Sequence, residues 1–329
     1  MQQQKENLRI QQWVVAVALS LFCLKALALY LTHSVAVLTD ALESTVNVIA
    51  ALIGWYSLHI ASKPKDADHP YGHGKAEFLS AAIEGTLIII AGFIIIYESI
   101  NNLVHPHELQ QLDTGILLVG ATALANYIMG YISIRKGRKN QSLALVASGK
   151  HLQSDTYSTL GIMVGLVLIY YTGFKWIDSA TAILFSFLII FTGYRILRQS
   201  IAGIMDEADH ELLEKLVWLL NKERKVNWID LHNLRVIKYG GQLHIDCHLT
   251  VPWFLNVHEA HREIDALGSL IRKEFGSAIE LFVHTDGCLD FSCNLCQVND
   301  CKVRKHEFIA TVTWTAQHLR SDSKHRLPQ

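Results

Sequence analysis

The sequence predicts an all-α membrane bundle of six helices followed by a small α+β domain. Three observations predict it. Half of the 329 residues are apolar and only 18% are charged, and the apolar residues concentrate before about residue 200. Within that part lie six stretches each long enough to span the roughly 30 Å of a bilayer's hydrocarbon. After residue 206 the long apolar runs give way to amphipathic helical and alternating strand patterns of ordinary soluble composition. A net charge of −1 offers no basic field for nucleic acid. No nucleophile–base pairing and no phosphate-cradling glycine loop before Lys-Ser/Thr is present, so an enzyme is not expected.

The first stretch, 11–31, follows Lys5 and Arg9. It reads as a retained helix: Lys25 interrupts the small-residue site at Ala26-Leu27-Ala28 that a cleaved signal would need, and apolar sequence resumes at once. The others fall at 35–60, 79–104, 114–134, 146–171 and 176–197. The second and fifth are the least apolar, carrying Asp40, Glu43, Asn47, His151 and Asp155. Such helices cannot face lipid all round, so both are expected inside the bundle, lining a hydrated cavity. Lys and Arg gather at the N-terminus (Lys5 and Arg9), in the second connection (Lys63, Lys65 and Lys75), in the fourth (Arg135, Lys136, Arg138 and Lys139), and again at Arg195 and Arg198. The opposite side holds only Lys175, which puts both termini in the cytoplasm.

Beyond the bundle, Asp209–Arg224 reads as an amphipathic helix, with Leu212, Leu213, Leu216, Leu219 and Leu220 on one side. Ile229–Tyr239 and Leu243–Val251 alternate like strands around a tight turn at Gly240-Gly241. His258–Phe275 is a second helix and Ile279–His284 a short strand. The order αββαβ predicts a two-layer α+β domain. The expected divisions are a membrane domain at 1–204, a cytoplasmic domain at 205–290 and a cysteine-containing tail at 291–329, frayed after about 305.

Ionisable groups inside a membrane are costly, about 2.5–3.5 kcal/mol each on insertion scales, which points to a function. His151 and Asp155 stand one helical turn apart on the fifth stretch, and Asp40, Glu43 and Asn47 share a stripe on the second. If the two helices face each other, Glu43, Asn47, His151 and Asp155 converge as nitrogen and oxygen donors suited to a divalent metal such as Zn²⁺. The alternative is helix-packing hydrogen bonds between polar side chains. A loop set, Asp66, His69 and His73, can meet in a compact turn relaxed by Gly72 and Gly74, as a second metal site or as a structural loop. Cys288, Cys293, Cys296 and Cys301 are spaced to close a thiolate site for Zn²⁺ or an iron–sulfur cluster, or to remain reduced and unliganded.

At these residues the chain resembles the cation diffusion facilitator family. The resemblance covers nearly all of residues 10–290. It rests on the Lys25 segment, Thr39-Asp40-Ala41, His69-Pro70-Tyr71-Gly72-His73-Gly74-Lys75-Ala76-Glu77, the His151-xxx-Asp155 pair and the α+β domain. It implies a homodimeric exporter of a divalent cation in exchange for protons, with Zn²⁺ first among Zn²⁺, Fe²⁺, Mn²⁺, Co²⁺ and Cd²⁺; the short termini and compact loops suggest a bacterial inner membrane. It further implies a metallochaperone-like or ferredoxin-like cytoplasmic domain, with regulatory metal sites at His232, His248, His261, His284 and Asp286. Glu43 and Asn47 depart from the family, whose usual second-helix pattern is His-xxx-Asp or Asp-xxx-Asp. The competing reading is a membrane-anchored metal sensor that dimerises without transport.

Overall fold

The computed structural model describes residues 2–32, 35–104, 112–172, 176–239, 242–276 and 279–327, with the side chains of Lys25, Asp40, Glu43 and Glu98 outside that description. The expected Gly240-Gly241 turn also lies outside the described residues. The chain divides into two compact units, Met1–Met205 and Asp206–Gln329.

The first unit is built from α1 (Gln2–Thr32), α2 (Val35–Ala61), α3 (Ala76–Val104), α4 (Leu112–Lys139), α5 (Leu143–Thr172) and α6 (Trp176–Ile204). Most of these extend past the apolar stretches read from sequence, because a helix continues into its polar ends while its backbone bonds last. The main pairings are α3 with α6, α4 with α5 and α1 with α2. Two stretches, Lys5–Leu24 and Ala76–Asn101, are long and apolar enough to cross a membrane among the described residues. The unit is inside-out by the standard of a water-soluble protein. Trp13, Phe93, Phe187 and Phe191 face outward, while Gln11, Ser80, Glu84, Ser133, Ser148 and Ser186 are buried. That distribution suits lipid outside and a polar interior.

Glycine lets α4 and α5 approach closely. A Cβ on Gly149 would stand 2.8 Å from the Gly130 carbonyl oxygen, and one on Gly130 would stand 2.8 Å from that of Gly149. Small residues bring membrane helices into backbone contact in this way. The α4–α5 connection is only three residues. Ser142 N–H donates to Gly137 O at 2.9 Å and Gln141 N–H to Arg138 O at 3.4 Å, with Gln141 at φ 54°. This Schellman arrangement stops α4 and reverses the chain.

The second unit orders as α7 (His210–Lys222), β1 (Asp230–Tyr239), β2 (Gln242–Val251), α8 (Val257–Phe275), β3 (Ile279–Gly287), a 3-10 turn at Asp290–Leu295 and α9 (Ala316–Arg320). The sheet order is β1-β2-β3, with β1 antiparallel and β3 parallel to β2. Asp209 caps α7, accepting from Leu212 N–H, and Asn256 with Glu259 forms a capping box on α8. One sheet face supplies Leu231, Ile245, Cys247, Leu249 and Val251 to a core closed by Leu216 and Leu220 of α7 and Leu267 and Ile271 of α8. Burial pushes the Cys247 thiol up to about 12, so it stays protonated as a packing group.

Two expectations are corrected here. The third strand runs on to Gly287 rather than stopping at His284, pairing Asp286 with Thr250. Nor is the tail frayed after 305: Trp314 is 1% exposed and Leu319 is fully buried in the same core. Asn221 donates to Trp314 O at 2.7 Å and accepts from Trp314 N–H at 3.0 Å, and Arg224 donates to Val312 O at 2.7 Å. The Arg224 guanidinium also covers the Trp314 ring at 3.9 Å. Side chains of α7 and its C-terminal end thus satisfy a backbone that has no periodic pattern of its own.

Candidate metal centres

In the helical unit, α2 brings Asn47 against His151 and Asp155 of α5. Asn47 Nδ2 donates to Asp155 Oδ2 at 2.7 Å, and His151 Nε2 lies 3.0 Å from Asn47 Oδ1. The i, i+4 spacing on α5 places imidazole and carboxylate on one face, and a single amide bridges both. Glu43 stands one turn before Asn47 on α2, its side chain outside the described residues. One turn before His151, Ser148 donates to Glu84 Oε1 at 2.8 Å and accepts from Gln11 Nε2 at 3.1 Å. A narrow cavity is lined by Asn47, Ala50, Glu84, Ser148 and His151. Glu84 was not singled out as a ligand from sequence. It is 1% exposed, and its Oε2 has no hydrogen-bond partner. The sequence offers it only as an acid deep in an apolar helix, for proton movement or a pair with Lys25.

Between α2 and α3, Asp66, His69 and His73 bring one ligand atom each within 4.8 Å of the others. His69 N–H donates to Asp66 Oδ1 at 2.7 Å, and His73 Nε2 lies 3.3 Å from Asp66 Oδ2. The two imidazoles are 4.3 Å apart. Gly72 at φ 90° makes the turn, its N–H donating to His69 O at 2.9 Å. The His69 amide holds the Asp66 carboxyl below the usual range, which keeps it ionised for a cation.

In the second unit, strand register builds the site. His232 pairs with His248, and His248 with His284, a row of three imidazoles across the sheet. Asp286, two residues after His284, shares their face because side chains alternate along a strand. His232 Nε2 and His248 Nδ1 lie 3.5 and 3.4 Å from Asp286 Oδ2. These three residues form the second group with ligand atoms within 4.8 Å. A supporting layer stands behind them: Asp230 Oδ2 is 3.7 Å from His232 Nδ1, and Asn233 contacts His248 Nε2 at 3.2 Å. Carboxylate and amide partners of this kind aim the opposite ring nitrogen at a metal. Burial pushes the His232 imidazole below its usual range, favouring the neutral, ligating form. Asp286 Oδ2 and His232 Nδ1 are buried without hydrogen-bond partners, so the pocket fits a cation at that oxygen. His284 flanks the cluster, its ring 4.6 Å from that of His248 and its Nε2 3.8 Å from Asp286 Oδ1. His261 is not brought to it: the side chain is 65% exposed on α8 and pairs with Asp265 at 3.8 Å.

The four tail thiols are free. Cys288 follows β3, Cys293 lies in the 3-10 turn with Cys296 capping it, and Cys301 lies in the next loop. Arg304 clamps the segment, donating to the carbonyl oxygens of Cys293, Cys296 and Val298 at 3.1, 3.0 and 2.7 Å. Lys305 N–H donates to Cys293 Sγ at 3.4 Å. The sulfurs are not gathered to ligating distance as the other two clusters are, among the described residues. Burial pushes the Cys288 and Cys296 thiols up.

Residues 12–205 match the cation efflux transmembrane domain, and 208–288 match the cytoplasmic domain of cation efflux proteins. The chain belongs to the cation diffusion facilitator family. An uncharacterised transporter of Synechocystis is 33% identical over 78% of this chain and 83% of its own. The cation-efflux pump FieF of Shewanella oneidensis is 27% identical over 83% of this chain and 91% of its own. A cadmium, cobalt and zinc/H(+)-K(+) antiporter of Bacillus velezensis is 25% identical over 72% and 75%. As a cation diffusion facilitator the chain is an integral membrane transporter of metal cations. Its helical and loop clusters fall within the matched transmembrane domain and its sheet cluster within the matched cytoplasmic domain. Residues 289–329, including three of the four tail cysteines, lie beyond both.

Proposed function

We propose that this protein exports a divalent transition metal across a bacterial inner membrane, with six helices crossing the bilayer and both termini in the cytoplasm. Glu43, Asn47, His151 and Asp155 form the transport site, Zn²⁺ is the first candidate substrate, and protons move in exchange. The observation that carries the reading is the Asn47 amide joining His151 and Asp155 across two helices, inside a unit whose outer surface is apolar. A carboxylate, an imidazole and an amide oxygen are hard-to-borderline donors, suited to Zn²⁺, Mn²⁺ or Fe²⁺. Metal binding needs a neutral imidazole and an ionised carboxylate, so it releases protons, and protonation from the far side releases metal. One site that alternates between the two occupants couples the fluxes.

Asp66, His69 and His73 collect the ion at the cytoplasmic mouth. His232, His248 and Asp286, flanked by His284, report metal in the cytoplasmic domain, where two copies pair and His261 comes from α8. The tail thiols offer a softer Zn²⁺ site once drawn together. The test is metal flux into sealed inside-out vesicles, with Zn²⁺, Mn²⁺, Fe²⁺, Co²⁺ and Cd²⁺ each alone, with and without a pH gradient. Gradient-dependent flux lost in Asp155→Ala supports the assignment. Normal flux in that variant removes the site, and bound metal with no flux of any ion makes the protein a sensor.

A further inference from the structure

The sheet cluster is covered by the chain's own C-terminal segment. His325 N–H donates to Asp230 Oδ2 at 2.9 Å, and His325 Nδ1 lies 2.6 Å from Asp230 Oδ1. Lys324 Nζ donates to Gly287 O at 2.9 Å and lies 3.5 Å from Asp286 Oδ1. Asn233 N–H donates to Ser321 O at 2.7 Å, and Arg235 pairs with Asp322 at 3.6 Å. Segment 321–327 therefore touches a candidate ligand, Asp286, and both supporting residues, Asp230 and Asn233. It is anchored just upstream by Leu319, fully buried in the domain core. These contacts come from residues beyond the matched family domains, which end at 288.

We propose that this segment is a strap with a built-in cation: Lys324 holds the Asp286 carboxylate while no metal is bound, and a metal ion at His232, His248 and Asp286 expels Lys324 and frees the strap. The reasoning is electrostatic. Asp286 Oδ1 is engaged by the ammonium, while Oδ2 faces two imidazoles and lacks a hydrogen bond. The carboxylate is largely buried, so the charge beside it is weakly screened. A divalent ion at Oδ2 would sit within a few ångströms of the ammonium, and like charges so close in a part-dry site repel strongly. Metal and Lys324 thus compete for one carboxylate. Strap release in turn strips His325 from Asp230 and exposes the polar sheet face. The competition sets the metal concentration at which the domain responds, and so regulates the transporter. It rests on the sheet cluster being a metal site.

The experiment uses the full chain in lipid nanodiscs, titrated with Zn²⁺ and with Mn²⁺ separately, and reads amide hydrogen exchange. Metal is expected to speed exchange at Asn233 and His325, whose N–H groups hold the strap, while the strands around His248 slow. Lys324→Gln should shift the midpoint to about tenfold lower metal, the worth of one partly buried charge contact, and Lys324→Arg should stay near wild type. His232→Ala should abolish the response. If the strands respond in a His232-dependent way but the strap stays protected and Lys324→Gln leaves the midpoint unmoved, the strap proposal is overturned and the metal site stands. If neither ion changes exchange in residues 230–250, the metal site falls and the strap with it.

Discussion

Gly149→Ala is a one-methyl test of how the helical site is held. The new Cβ would lie 2.7 Å from Ile134 Cγ1, 2.8 Å from Gly130 O and 2.9 Å from Ile134 N. Ile134 Cγ1 can rotate, but the other two atoms are backbone of α4 and cannot. A carbon rests about 3.4 Å from a backbone oxygen or nitrogen, so α5 must withdraw from α4 by roughly 0.6 Å. Overpacking of this kind costs about 1–3 kcal/mol. The functional effect should exceed the stability effect, because His151 and Asp155 ride on the same helix. Moving α5 by that amount would shift the 2.7 Å Asn47–Asp155 contact by up to roughly 0.6 Å and displace two candidate ligands together. Misplacements near 1 Å cost about a hundredfold in comparable chemistry, so a five- to thirtyfold loss of metal flux is expected. The assay is flux in reconstituted vesicles alongside thermal unfolding of the same preparation. Flux within twofold of wild type at unchanged melting temperature would show that α4 does not position the site.

Glu84→Gln preserves shape and can still accept from Ser148, but removes an acid from the cavity wall shared with Asn47 and His151. Downhill metal flux should persist while its dependence on a pH gradient weakens; full gradient dependence in the variant would exclude Glu84 from proton movement. Asp209→Ala removes the α7 N-cap and the ion pair with Lys238, and should cost about 1 kcal/mol of cytoplasmic-domain stability. Burial alone would raise the Asp209 carboxyl, but Lys238 and the Leu212 amide outweigh it and hold it below the usual range. Its contribution is therefore complete above the unfolded-state aspartate value and lost as pH falls through the lower folded value. Acid unfolding curves of wild type and Asp209→Ala should converge at low pH, and a constant gap down to the acid limit would disprove the pairing.

The helical unit was legible because lipid imposes a simple rule. A long apolar run favours a long helix there, and α1 to α6 each contain one of the runs read from sequence, two of them long and apolar enough to cross a membrane among the described residues. Their ends were less legible, since polar turns such as Arg135–Lys139 stay helical until the Schellman stop at Gln141. The sequence reading ends the third strand at His284, with Asp286 just past it, because Asp and Gly disfavour strands; parallel pairing with β2 extends the strand and gives Asp286 a register. The tail was illegible for a similar reason. Trp314 and Leu319 are single anchors, and what orders the segment is Asn221 and Arg224, about ninety residues away. The sheet cluster depends on His232, His248 and His284 falling in one row, which the spacing of any one strand cannot reveal.

Asn47 shows how local and long-range information meet. Sequence reasoning treats it as the weak member of a ligand set, a neutral amide where the family usually has aspartate. Paired with its neighbours it has a second capacity. As an amide it donates to Asp155 through Nδ2 and accepts at Oδ1 toward His151. An aspartate at that position could only accept when ionised, and beside Asp155 it would place two carboxylates in contact. The amide therefore joins α2 and α5 through bonds to both partners. On the proposed assignment, an amide in place of a carboxylate offers a cation one fewer negative charge, so Asn47→Asp is expected to tighten metal binding in a metal titration.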